Sequence, residues 1–234
     1  MNNLFRILFL FIFGIAVFAC TPKLFIESEQ IKVSNLQQED TVLRAFISPY
    51  KAEMDQQMNV KIAESKHDFL VARPGSNLMN WMADAVFVNQ TKNKRLSLPV
   101  FCLLNTGGIR SSIGVGDVKL QDLFKVMPFD NTLVWVKLPM NTLKKIETYI
   151  NSSGGEPISN AIVENGTLII QDFEKEHDFF WIITSNYLSN GGDNMSFFDD
   201  AIETIETKQL IRDVLIEEAQ IQKILQNDSK SRIR

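Results

Sequence analysis

Helix-like and strand-like segments mix along this chain without regular alternation, which predicts an α+β fold: a single layered domain of mixed sheets with packed helices. Three observations carry that prediction. The 234 residues lie near the upper end of one ordinary domain. Two strongly apolar segments, "PVFCLL" (99–104) and "FFWIITSNYL" (179–188), have the composition of buried strands, and each runs into a paired-glycine turn. The helical patterns between them never settle into the strand–helix–strand succession of a doubly wound sheet.

Taken in order, "EDTVLRAFISPYKAEMDQQMN" (39–59) has Val42, Leu43, Phe46, Ile47 and Tyr50 at helical spacing, with Pro49 predicting a kink or a two-part helix. "VKIAES" (60–65) alternates as a strand does. "PGSNLMNWMADAVF" (74–87) is a helix capped by Ser76. "LQDLFKVM" (120–127) is a short helix ahead of "PFDN", and "TLVWVKL" (132–138) is a strand. "PMNTLKKIETYINSS" (139–153) is an amphipathic helix with Pro139 near its start. "TLIIQD" (167–172) is a strand, and "LIRDVLIEEAQIQKIL" (210–225) is a terminal helix.

The first nineteen residues read as a secretion signal. Arg6 supplies a short positive region, and Ile7 to Phe18 is an apolar run shorter than the roughly 20 residues a membrane-spanning helix needs. Ala19-Cys20 resembles a bacterial lipoprotein cleavage box, so Cys20 is expected to be the lipidated first residue of a mature, membrane-anchored protein of the cell envelope; an ordinary signal peptide with an incidental Cys is the alternative. The expected organisation is a signal at 1–19, a tether at 20–29, one domain at 30–226 and a polar tail at 227–234. Met1 and the intact signal argue that this is not a fragment. With Cys20 acylated, Cys102 has no disulfide partner, and its apolar strand makes it a small core residue. A formal net charge of −4 excludes a non-specific surface for DNA or RNA polymers, which needs a basic excess.

Much familiar chemistry is missing. Two isolated histidines, His67 and His177, cannot build a two-metal phosphoesterase site. No nucleophile elbow or Walker-type loop occurs. No cofactor is therefore expected in this chain.

What is present lies in the turns. "NTGGIR" (105–110) ends in Arg110, whose planar fork suits a phosphate or carboxylate. "SNGGDN" (189–194) is preceded by Tyr187 and carries Asp193, a carboxylate suited to vicinal hydroxyls such as those of a ribose. Phe129 and Asn131 lie between them in sequence, and two aromatics on separate loops can sandwich a flat base. Each feature alone has a bland reading as a surface turn. Together they are the components of a nucleotide site, with the two glycine turns expected at opposite ends of the ligand.

"NTGGIRSSIGVGDVKLQDLFKVMPFDNTLVWVKL", "SNYLSNGGDN" and "RPGSNLMNWMADAV" resemble, in order and spacing, the signatures of the 5′-nucleotidase C-terminal, substrate-binding domain, over roughly residues 30–225. The resemblance implies that Arg110 binds phosphate and that Asn105 lines the pocket. It implies that Phe129 and Tyr187 clamp the base, that Asn131 meets the base edge and that Asp193 holds the ribose hydroxyls. Arg73, one residue closer to Asn77 than in familiar members, matches a second phosphate arginine. Tyr187 replaces the usual Phe, and its ring rather than its hydroxyl is expected to matter. Asp130, where Gly is common, adds a negative charge near the base site.

In the family this domain follows a metallophosphoesterase domain bearing the two metals, and here a signal segment stands in that place. The resemblance implies the recognition half of a split 5′-nucleotidase, which binds a nucleoside 5′-phosphate for a separately encoded metallophosphoesterase holding the divalent metals. The alternative is a stand-alone nucleotide- or nucleoside-binding lipoprotein. A degenerate domain without ligand is a third reading, opposed by the retained set of pocket residues.

Overall fold

The computed structural model describes residues 40–173 and 176–234. The signal, the tether, Cys20 and the expected domain start at residue 30 lie outside the described residues. The chain divides into two units, Met1–Phe46 and Ile47–Arg234. Helix α1 (Thr41–Met58) begins in the first unit, where the Asp40 carboxylate accepts from the backbone N–H groups of Val42 and Leu43 at 3.0 and 3.1 Å. It runs unbroken through Pro49, so the expected division there is absent.

The second unit is built on a five-stranded sheet. Its strands are β2 (Val100–Leu103), β4 (Thr132–Pro139), β5 (Ile158–Ser159), β8 (Phe179–Ser185) and β9 (Glu203–Leu210), in the order β5-β2-β8-β4-β9. The pair β2–β8 is parallel and the other pairs are antiparallel. The sheet is covered on both faces, which is why its central strands read as nearly continuous apolar runs. Alternate residues feed two cores. Val100, Cys102, Leu133, Trp135 and Ile183 face one side, where they pack with helices α2 (Asn77–Thr91), α3 (Leu120–Val126) and α6 (Ile211–Gln222). Phe101, Leu103, Val134, Val136 and Ile182 face the other, with helix α4 (Leu143–Ser153) and the hairpin of β6 (Ala161–Glu164) and β7 (Thr167–Ile170). This is the mixed α+β architecture anticipated from the sequence.

Local chemistry explains the element ends. The Ser76 hydroxyl accepts from Met79 N–H at 3.4 Å and starts α2, as its position in the sequence predicts. Pro139 ends β4 and caps a 3-10 turn over Met140–Thr142 that leads directly into α4 at Leu143, so it stands near the helix start as expected. Strand β1 (Lys61–Ser65) pairs with β3 (Gly116–Lys119) in a second small sheet. The segment 227–234 is docked rather than free. Arg232 is held by Asp84 at 2.6 and 2.7 Å and by Asp228 at 2.7 Å, and the backbone of Arg232 and Arg234 bonds to Val163 and Asn165. Burial of Cys102 pushes its thiol well above the ordinary range, in keeping with an inert core residue.

Candidate functional site

Strands β2 and β8 lie side by side and run the same way, so both glycine turns leave the same end of the sheet. After β2 the chain forms a single turn over Thr106–Gly108. After β8 it forms the short helix α5 (Asn186–Ser189), started by the Ser185 hydroxyl accepting from Leu188 N–H at 3.1 Å, and then a turn over Gly192–Asn194. Tyr187 therefore sits on a helical turn and not on the strand expected from its apolar neighbours.

The two turns meet rather than standing apart. Asn105 Nδ2 donates to Asp193 Oδ2 at 2.6 Å, while the Tyr187 hydroxyl donates to Asp193 Oδ1 at 2.8 Å. The Tyr149 hydroxyl donates to the Asp193 carbonyl at 3.0 Å. Asp193 has φ 51°, a left-handed conformation that Asp tolerates better than most residues, so its carboxylate is fixed by backbone and partners alike. The second glycine of each pair is required by these contacts. A Cβ on Gly108 would meet Asn105 Oδ1 at 2.8 Å, and one on Gly192 would meet the Tyr187 ring at 2.5 Å.

The hydroxyl of Tyr187 is thus part of the site, contrary to the expectation that only its ring matters. Its bond to Asp193 raises the phenol above its ordinary value of 10.0. Burial raises the phenol of Tyr149, and the charges of Glu156 and Asp193 add to the effect.

A cleft of about 320 Å³ is lined by Asn105, Gly107, Gly108, Arg110, Phe129, Asn131, Tyr187 and Asp193. Six of the seven residues selected from the sequence are among them. Ligand pockets commonly hold roughly 300–1,000 Å³. Arg110 lies with its guanidinium carbon 5.6 Å from the Phe129 ring centre, and its Nη1 donates to the Gly107 carbonyl at 3.3 Å. Most of its fork remains open to a ligand.

Arg73 is the exception. It is absent from the lining set, and its Nη2 donates to the buried carboxylate of Glu156 at 3.0 Å. Glu156 also accepts from the backbone N–H and the hydroxyl of Thr106, at 2.6 and 2.8 Å. Arg73 therefore meets the first turn through Glu156. Asp130 does not add a free charge beside the base site, because its carboxylate accepts from Arg212 Nη2 at 2.6 Å. Glu156, Tyr149 and Arg212 escaped the sequence reading. Arg212 left a faint signal, as a cation within the apolar stripe Ile211, Val214 and Leu215.

A larger cavity of about 650 Å³ lies against the docked C-terminal segment. Among its charged lining groups, Arg232 pairs with Asp84 and Asp228, and Arg234 pairs with Glu164 outside the lining. The smaller cleft, with an open guanidinium and two exposed rings, is the better ligand site. Among the described residues, no group of three or more His, Cys, Asp or Glu side chains is gathered as metal ligands would be.

Residues 61–148 match the protein family described as 5′-nucleotidase, C-terminal domain. The 5′-nucleotidase of Vibrio vulnificus is 32% identical over 145 residues, covering 60% of this chain and 23% of that protein. The human 5′-nucleotidase is 22% identical over 207 residues, covering 70% of this chain and 35% of the relative. Among solved structures, the 5′-nucleotidase precursor of Thermus thermophilus matches with a TM-score of 0.62 at 24% identity, over 82% of this chain and 42% of that one. The Haemophilus influenzae NAD nucleotidase matches with a TM-score of 0.62 at 17% identity, over 84% of this chain and 41% of that one. The chain thus spans less than half the length of these relatives. Residues 61–148 are thus similar in sequence to the C-terminal domain of 5′-nucleotidases, and the fold is similar over most of the chain.

Proposed function

We propose that the chain belongs to the 5′-nucleotidase C-terminal domain family and is the nucleotide-recognition half of a split 5′-nucleotidase. Its cleft takes the base, ribose and phosphate of a nucleoside 5′-phosphate. A separately encoded metallophosphoesterase, which holds the divalent metals, hydrolyses the phosphate ester. One observation carries the reading: Arg110, Phe129, Asn131, Tyr187, Asn105 and Asp193, drawn from three separate segments, line a single cleft. In this arrangement Arg110 grips the phosphoryl oxygens through paired charge-assisted hydrogen bonds. Phe129 and Tyr187 offer stacking faces to the base. Asp193 is an acceptor already oriented by Asn105 and Tyr187, so it loses little freedom on meeting the ribose hydroxyls.

Phosphate release from 5′-AMP tests the proposal, with the purified chain, a candidate metallophosphoesterase, and the two together in Mn²⁺, Zn²⁺ or Co²⁺. Activity is expected only in the mixture and is expected to fall with Asp193→Ala. Hydrolysis by this chain alone, abolished by one of its own point substitutions, sinks the split-enzyme reading. Tight AMP binding with no activity in any mixture favours a stand-alone nucleotide-binding protein instead.

The signal-like segment and Cys20 support an envelope location through a lipid anchor. Metabolic labelling with a fatty-acid analogue, lost in Cys20→Ala, is the test. Label that persists in that variant removes Cys20 as the anchor.

A further inference from the structure

We propose that Arg212 is the positioning residue of the base site: from the terminal helix it fixes the loop that carries Phe129 and Asn131. The inference rests on Phe129 being a stacking face. Arg212 lies in the first turn of α6 and is only 7% exposed. Its Nη1 donates to the carbonyls of Met127 and Phe129 at 3.3 and 3.4 Å, and its Nη2 donates to the Asp130 carboxylate at 2.6 Å. Its guanidinium carbon sits 4.3 Å from the centre of the Phe124 ring. The adjoining Ile211 N–H donates to the Asn131 carbonyl at 2.9 Å. Two consecutive residues of α6 therefore hold Met127, Phe129, Asp130 and Asn131, which are distant in sequence and include two members of the cleft.

The position is a poor one for a cation on stability grounds alone. Burial strips its water, and its Nε is buried without a hydrogen-bond partner. The first turn of a helix also repels positive charge through the backbone dipole. An apolar residue at 212 would join Ile211, Val214 and Leu215 in the core at no such cost. What an apolar residue cannot do is donate to two carbonyls and one carboxylate at once, which the guanidinium does. The aromatic face of Phe129 is thereby presented before any ligand arrives, and Asp130 is the anion that balances the buried charge.

The test separates base binding from the rest of the ligand. Affinities for AMP and ribose 5-phosphate are measured by calorimetry in the parent, Arg212→Met and Arg212→Lys, with a thermal melt for each. AMP affinity is expected to fall about ten-fold in Arg212→Met, within the range that stacking one base supplies. Ribose 5-phosphate affinity is expected to change by less than about two-fold, because Arg110 and Asp193 are untouched. Arg212→Lys keeps the charge without the fork, folds if the Met variant does not, and is expected to lose about five-fold for AMP alone. Equal losses for both ligands overturn the proposal, since they mean general loosening. Unchanged AMP affinity in either folded variant also overturns it. A parent that binds AMP no better than ribose 5-phosphate refutes the stacking face itself and removes the premise.

Discussion

The buried carboxylate of Glu156 should be the anchor of the phosphate-side turn, and the cost of losing it can be worked out. Glu156 is 3% exposed and accepts three hydrogen bonds, two from Thr106 and one from Arg73. In Glu156→Ala the Thr106 N–H is left without its partner at a half-buried position, which costs about 1–3 kcal/mol. The Thr106 hydroxyl retains the Gly155 carbonyl at 3.3 Å, so its loss is small. The Arg73 side chain is 41% exposed and recovers water, so its bond contributes less than about 1 kcal/mol after screening. The sum is about 1–4 kcal/mol, equivalent to a fall in Tm of roughly 2–16 °C for a domain of this size. Glu156→Gln keeps an acceptor for Thr106 but points an amide at Arg73, and should lie between the parent and the Ala variant. Thermal melts with AMP titration of each folded variant provide the assay, with AMP affinity falling in Glu156→Ala and largely kept in Glu156→Gln. If Glu156→Ala melts within about 1 °C of the parent, the network is incidental and the reasoning fails.

Other substitutions probe the remaining parts of the site. Arg110→Ala should weaken AMP by about 1.5–3 kcal/mol and adenosine far less, as measured by calorimetry; equal losses would mean a structural arginine. Phe129→Ala should weaken both ligands by about 1–3 kcal/mol, and unchanged affinities would exclude it from the stack. The Tyr187 phenol is raised, so its neutral form and its bond to Asp193 are intact below the ordinary value of 10.0 and are lost only as pH rises through the elevated one. AMP affinity should therefore stay level through neutral pH and fall in the alkaline range, and Tyr187→Phe should bind more weakly at neutral pH without that alkaline step. A step of the same size in Tyr187→Phe would take the titration away from this residue. Arg232→Ala should cost about 1–3 kcal/mol, since Asp84 and Asp228 lose a mostly buried partner but are over a third exposed and recover water; a melt unchanged from the parent would make the docked segment ornamental.

Chemistry confined to the turns was legible in the sequence, because a paired glycine beside a charged residue is local. So was the sheet interior, where two-sided burial makes β2, β4 and β8 predominantly apolar. Strand β9 was not legible: it is an exposed edge strand, and "ETIETKQL" offers polar side chains to solvent with a left-handed Lys208 within it. The β6–β7 hairpin had a readable signal in Asn165-Gly166, yet only its second strand stood out from the pattern. Contacts between distant segments left little trace. Nothing near "GGEP" marks Glu156 as the partner of Thr106. Asp130 looked like a free charge because Arg212, its partner, lies 82 residues further along the chain.

The parallel pairing of β2 with β8 has a kinetic consequence. About 80 residues separate the two strands, so closing that loop carries an entropic cost that local helices and hairpins do not face. The hydrogen bond from Asn105 to Asp193, and with it the cleft, exists only after that closure. A nucleotide therefore finds nothing to hold in a half-folded chain. It should leave the refolding rate unchanged and slow unfolding, acting as a brake on the way out rather than a guide on the way in.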